Sequence, residues 1–264
     1  MRRTAFLLAL VSWVCVTGVS ATRAGSVLAQ GLAAYRIEET GESQVRLRDR
    51  FTAPELAILE RLNRADLEHL DGLRELVIPN RWVADELTYS PLPRQYPAGA
   101  SLPKLLVVHV PGQMFGAYEF GTLVRWGGVS TGGRATPSQA GLFFLNWRSP
   151  GRTSTVNPDW FMQWYFNFDN REGFAFHEYA LPGTPASHGC IRILRRDSQW
   201  LFEWGDGWRL DASGTRVVRP GTPVFVVGRY DFDAAPPWRS PAWLAQGVEL
   251  PPMPGGEQPG PEDR

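Results

Sequence analysis

Between residues 105 and 227, Gly and Pro cut the chain into short runs rich in Val, Phe, Trp and Tyr, a texture that dictates strands rather than long helices. The strongest run, Leu105-Leu106-Val107-Val108-His109-Val110, is closed by Pro103 before it and Pro111-Gly112 after it. Residues 114–118 and 122–129 read as further strands across Gly-containing turns. Residues 141–147, 160–168 and 173–177 add aromatic-rich strand candidates, and Pro223-Val224-Phe225-Val226-Val227 adds a last one. One helix is expected beyond residue 190, with Asp197 as N-cap and Trp200, Leu201 and Trp204 along one face. The fold class is therefore mainly β, with one or two short helices.

The residues ahead of this block have a different pattern. Gln44-Val45-Arg46-Leu47-Arg48 alternates like a strand, and Thr52 with Pro54 and Glu55 reads as a helix start. Leu56, Leu59 and Leu62 follow at helical spacing, and Asn63 breaks it. Asp66 caps a second helix through Leu67 and Leu70, and Leu76-Val77-Ile78-Pro79 closes as a strand. This small α+β unit, residues 44–80, resembles a LysM peptidoglycan-binding module. Two amphipathic helices around a leucine core explain the same pattern equally well. Residues 22–43 read as a linker, and 81–104, with Pro91, Pro93, Pro97 and Pro103, as a Pro-rich linker or irregular strap. The Pro/Gly-rich stretch 231–264 is expected to be disordered.

Lys+Arg and Asp+Glu both number 27, and Lys104 is the only lysine. Without a dense basic run, neither nucleic acid nor anionic lipid is the expected partner. Arg2 and Arg3 followed by an apolar stretch over 5–19, then Val19-Ser20-Ala21, read as an export signal over residues 1–21. The apolar stretch is shorter than the roughly 20 residues that span a bilayer, so contact with the membrane is expected only during export. Cys15 leaves with the signal, which makes Cys190 the single cysteine of the exported chain. A lone cysteine in a secreted protein is a reactive thiol, half of an intermolecular disulfide, or a buried inert group.

Its neighbours narrow that choice. His188 and His177 lie two and thirteen residues before Cys190, and Gly189 adjoins it. A free thiol has a pKa of about 8.5, and a nearby imidazole raises its reactive fraction. A glycine beside the nucleophile admits substrate and leaves backbone N–H groups for a developing oxyanion. His177, His188 and Cys190 are zinc-ligand types, but no second ligand pair has metal-like spacing, and no metal or cofactor is expected. His109 sits within an apolar strand and His69 in the small unit, so neither is expected to act in chemistry. Among the aromatics of 147–168, Trp160, Trp164 and Tyr165 are expected to face substrate.

Ser187-His188-Gly189-Cys190-Ile191-Arg192 resembles the signature of the L,D-transpeptidase (YkuD-like) catalytic domain. Val129-Ser130-Thr131-Gly132-Gly133, then Ala135-Thr136-Pro137 and Gly141, is similar to an earlier stretch of the same family. The likeness extends over residues 105–230. It implies a β-sandwich catalytic domain whose cysteine is acylated by a peptidoglycan tetrapeptide stem, releasing D-alanine. An amine then takes the acyl group, either on an acceptor stem peptide or on a protein to be joined to the wall. By that resemblance Cys190 is the nucleophile and His177 the base. His188, Gly189 and Ser187 support the oxyanion region, and Arg192, Trp164 and Tyr165 meet substrate. It also implies action in the periplasm or cell wall. An L,D-carboxypeptidase or peptidoglycan amide hydrolase using the same cysteine is the alternative. Two features depart from the family pattern: Glu178 directly follows His177, and the loop from base to nucleophile is short.

Overall fold

A computed structural model describes residues 34–40 and 46–254; residues 1–21, read above as an export signal, Cys15 among them, and the last ten residues lie outside these. The first strand, β1 (Tyr35–Glu39), falls inside the segment read as a linker. After it come α1 (Leu47–Arg50), α2 (Ala53–Asn63), α3 (Leu67–Leu70) and β2 (Glu75–Pro79), which pairs antiparallel with β1. The strand expected over 44–48 is corrected for its described residues: Leu47–Arg50 is a helical turn, and β2 pairs with β1, further upstream. The physical reason is that Leu47 enters a core beside Leu56, Leu59 and Leu76. At the start of α2 the Thr52 N–H donates to the Glu55 carboxylate at 2.8 Å. Asn63 ends α2 by bonding both backbone groups of Val77, which ties the helix to β2.

A nine-stranded sheet carries the rest. Its strands are β3 (Leu105–His109), β4 (Met114–Glu119), β5 (Thr122–Ser130), β6 (Gly141–Phe144), β7 (Arg148–Thr153), β8 (Phe161–Asp169), β9 (Phe174–Glu178) and β10 (Ile191–Ile193). After α4 (Arg195–Trp204) and a small hairpin, β11 (Arg209–Leu210) and β12 (Val217–Arg219), comes β13 (Pro223–Val227). The order is β6-β13-β3-β4-β5-β10-β9-β8-β7, so the two halves of the expected sandwich form one hydrogen-bonded sheet, curled on itself.

The curl explains why β3 reads as a continuous apolar run: both of its faces are covered. Inside, Leu106 and Val108 pack with Phe115, Phe166, Phe176 and Ile191. Outside, Leu105 and Val107 join Met114, Tyr118 and Trp126 beneath Ile58, Leu62 and Val77. The 44–80 unit therefore shares a core with the sheet. Residues 81–104 form a strap over the same face, burying Tyr89, Leu92 and Tyr96.

Two further expectations are corrected. Residues 231–254 are not a disordered tail. They include α5 (Pro241–Gln246), and Trp238 and Leu244, both 1% exposed, join the outer core. The Pro-rich composition hid these anchors, and Tyr96 Oη also donates to the Pro251 carbonyl at 2.6 Å. Asp197 does not cap α4, which starts after Leu194; its carboxylate is fully buried and pairs with Arg125 at 2.7 Å. Among the described residues no helix is long and apolar enough to cross a membrane.

Candidate active site

Strands β9 and β10 run parallel, with Ile191 opposite Phe176 and Arg192 opposite His177. A parallel pair needs a crossover of about a dozen residues, and the short loop from His177 to Cys190 is that crossover. It returns the chain to the start of β10, so Cys190 enters beside the strand that carries His177. Because side chains alternate along a strand, Cys190 and Arg192 share the face that His177 occupies.

His177 is 4% exposed. Its Nδ1 lies 3.0 Å from the Glu178 carbonyl oxygen. A carbonyl only accepts, so Nδ1 carries the proton and Nε2 is left with its lone pair. The Glu178 backbone thus orients the ring, while the Glu178 carboxylate lies toward Arg195, 4.0 Å away. Tyr165 stacks on His177 at 6.5 Å between centroids, and Tyr179 meets it edge-on at 5.9 Å. Burial, with the Arg192 charge adding to it, lowers the His177 pKa to about 4, although the Glu178 carbonyl pulls the other way. The ring is neutral at pH 7.

Burial pushes the Cys190 thiol up, opposed by the Ala175 backbone N–H and by Arg192. Burial therefore favours the uncharged form of both the thiol and the imidazole. Cys190 is partly exposed and is the one free cysteine among the described residues.

The loop before Cys190 is braced from three sides. Ser187 Oγ donates to the Cys190 carbonyl at 2.5 Å and accepts from the Gly189 N–H at 3.1 Å. The Gly189 amide is thus already bonded within the loop. Gly189 has φ +105°, and a Cβ there would sit 2.2 Å from the Phe174 ring. The second brace is the Ser-Thr-Gly stretch and the turn after it. Ser138 Oγ donates to the Gly189 carbonyl at 2.7 Å, and the Ser187 N–H donates to the Thr131 carbonyl at 3.0 Å. A Cβ on Gly132 would meet the Thr136 carbonyl at 2.1 Å, so this turn requires glycine. The third brace comes from the N-terminal helices. Asp66 accepts the Leu181 N–H at 2.7 Å, donates its own N–H to the Leu181 carbonyl at 2.9 Å, and caps α3. Arg64 ends α2 in a left-handed conformation, φ 57°, and its carbonyl accepts the Gly183 N–H.

An open cleft is lined by His177, Ser187, His188, Cys190 and Arg192 together with Tyr165 and Arg152. Residues 103–226 match the family model of the L,D-transpeptidase catalytic domain, YkuD. This segment is similar to a YkuD-family domain.

No curated protein matches the chain. Among solved structures it is similar to an L,D-transpeptidase from Stackebrandtia nassauensis, with 24% identity over 49% of this chain and 58% of that one, TM-score 0.40. An L,D-transpeptidase from Xylanimonas cellulosilytica gives 27% identity over 68% and 82%, TM-score 0.46. L,D-transpeptidase 1 of Mycobacterium tuberculosis gives 18% over 47% and 62%, TM-score 0.36. The chain spans less than two thirds of the length of the first structures matched.

Of the sequence-selected residues Gly189 does not line the cleft, and neither does Trp164. It sits at a bulge of β8 with φ 53°, and its ring packs edge-on against Phe202 of α4 at 5.4 Å. The bulge adds a residue to the strand and breaks its alternation, turning Trp164 to the opposite face. Trp160 lines the cleft in its place and packs on the His188 ring at 4.8 Å. Tyr165 lies in the cleft wall with its hydroxyl donating to the Gly173 carbonyl at 3.0 Å. Sequence reasoning missed Arg152, a strand residue that no motif marks, and Asp66, whose capping role was legible but whose bond to Leu181 was not. Among the described residues no group of His, Cys, Asp and Glu is placed to hold a metal ion.

Proposed function

We propose that this protein is an L,D-transpeptidase working on peptidoglycan outside the cytoplasm, with Cys190 as nucleophile and His177 as base. The observation that carries this reading is the neutral His177 ring, its Nδ1–H fixed on the Glu178 carbonyl, sharing one cleft with the cysteine. Cys190 Sγ attacks the carbonyl that joins the third stem residue to the terminal D-alanine, and His177 Nε2 takes the thiol proton. The amides of His188 and Cys190 hold the oxyanion. Collapse expels D-alanine, whose amine receives the proton from His177, and leaves a thioester on Cys190. The acceptor amine then attacks the thioester, passing its proton through His177, and the thiol is restored. Residues 105–230 carry this chemistry, the 44–80 unit braces the loop between base and nucleophile, and residues 1–21 direct export. Acceptors are the side-chain amine of a neighbouring stem or of a protein joined to the wall.

The test uses purified protein and a tetrapeptide stem, with and without an added amine. D-Alanine release with formation of the amide to the added amine is expected, and both must vanish in Cys190→Ala. Release that yields only the free tripeptide acid, whatever amine is supplied, would instead make the protein an L,D-carboxypeptidase. No release with any stem would refute the reading.

A further inference from the structure

Arg64 is a fully buried charge that the chemistry above does not use. Its partners are neutral. Nε donates to the Gly112 carbonyl at 2.8 Å, and Nη1 donates to the carbonyls of Arg61 and, at 3.2 Å, Leu62. The guanidinium carbon lies 5.7 Å from the ring of Trp126 and 5.7 Å from that of Trp238. Burial lowers its pKa to about 9, against the pull of Tyr35, so the guanidinium is charged at pH 7. A cation this deep in a core is costly unless its N–H groups find acceptors, so the place it occupies is informative.

That place is the C-terminus of α2. The last carbonyls of a helix have no partner within it and carry the negative end of its dipole. Arg61 and Leu62 supply two of them, and the Arg64 guanidinium caps both from inside the core. The Arg64 backbone is left-handed, φ 57° and ψ 25°, and turns the chain out of the helix. Residues 64–66 then run along 181–183. The Gly183 N–H donates to the Arg64 carbonyl at 3.2 Å, Ala65 and Pro182 form an antiparallel bridge, and Asp66 bonds both backbone groups of Leu181. Arg64 also rests on β5, where a Cβ on Gly128 would lie 3.2 Å from the Arg64 Cα. Two residues further along β5, Ser130 Oγ donates to the Thr184 carbonyl at 2.8 Å and accepts the Ala186 N–H at 3.0 Å. Residues 181–186 are thus held before the chain reaches Cys190.

We propose that Arg64 is a positioning residue for Cys190: its guanidinium fixes the left-handed turn whose carbonyl, with Ala65 and Asp66, anchors the start of the loop that brings the thiol beside His177. Without that side chain three buried carbonyls lose their donor, and the end of α2 must move to satisfy them. This rests on the transpeptidase reading above and adds to it a residue outside the segment matched by the family model.

The experiment compares the wild type, Arg64→Met, Arg64→Lys and Leu105→Ala. The last opens a cavity at the end of β3 away from Gly112 and controls for lost stability alone. Two quantities are read where the variants are folded: amide hydrogen exchange over 181–183 without substrate, and kcat and KM for D-alanine release from a tetrapeptide stem. Arg64→Met is expected to speed exchange of the Leu181 and Gly183 amides by about tenfold or more. Its kcat should fall at least about tenfold, with the donor KM within about twofold. Arg64→Lys keeps the charge but not the fork, so it is expected to fall between Arg64→Met and wild type; it carries the test if Arg64→Met does not fold. Leu105→Ala should lower Tm and leave kcat and exchange at 181–183 within about twofold of wild type. Wild-type exchange or wild-type kcat in the Arg64 variants would overturn the inference. So would the same changes in Leu105→Ala. No D-alanine release by the wild type, with exchange still faster in the Arg64 variants, would overturn the transpeptidase reading and support the hold of Arg64 on the loop.

Discussion

Replacing Gly189 by alanine tests whether the loop geometry that aims Cys190 depends on a missing side chain. At φ +105° an L-residue is strained, and such backbone positions cost about 1–3 kcal/mol. The new Cβ would also lie 2.2 Å from the Phe174 ring, and Phe174 belongs to the inner core, so relief requires a core shift of about 1–3 kcal/mol. Together these give about 2–6 kcal/mol, a fall in Tm of at least about 5 °C for a chain of this size. The same displacement acts on Cys190, the proposed nucleophile, because Ser187 Oγ links the Gly189 N–H to the Cys190 carbonyl. A shift of an ångström in a reacting atom costs about 100-fold, so kcat/KM for D-alanine release is expected to fall by at least that much. The assay is thermal unfolding and steady-state kinetics on the wild type, Gly189→Ala, Phe174→Leu and the double variant. The double variant should recover about 1–2 kcal/mol relative to the sum of the singles, since leucine relieves the clash but not the backbone strain. An alanine variant with wild-type Tm and kcat/KM would refute this reasoning.

Three further outcomes are expected. With the folded-state pKa of His177 at about 4 and the ordinary value near 6.5, the unfolded chain takes the proton first. Stability therefore falls as pH drops below about 6.5 and levels off below about 4, by about 3 kcal/mol in total. Urea unfolding of wild type minus His177→Gln across that range reads this contribution, and kcat/KM should show its acid limb near pH 4. Asp66→Ala removes the α3 cap and the bond to Leu181, so denaturant unfolding should show a loss of about 2–3 kcal/mol, together with a lower kcat. Trp164→Leu should leave donor kinetics within about twofold of wild type, because its ring packs on α4, whereas Trp160→Ala should raise the donor KM.

The loop over 187–192 stood out as a candidate site because its residues are contiguous, and a cysteine flanked by His and Gly has few structural uses. The β3 run was equally plain, since burial on both faces leaves no polar position to blur the pattern. What escaped was set by distant contacts. Tyr35–Glu39 is an edge strand of mostly charged residues, so its composition resembles a linker. Trp164 faces the wrong way because a bulge breaks the strand period, and no residue type announces a bulge there. Asp197 has the chemistry of a cap, but Arg125, 72 residues earlier, claims its carboxylate. Arg152 reads alike in sequence whether it is solvated or stacked over Tyr165; only the fold distinguishes the two.

The account stands most directly on intact-protein mass spectrometry after brief incubation with a tetrapeptide donor. It predicts a mass gain equal to the donor less D-alanine, mapped to Cys190 by peptide digestion, absent in Cys190→Ala and slowed at least about 100-fold in His177→Ala. An unmodified Cys190 under conditions where D-alanine is released, or an adduct that forms as fast without His177, would contradict it.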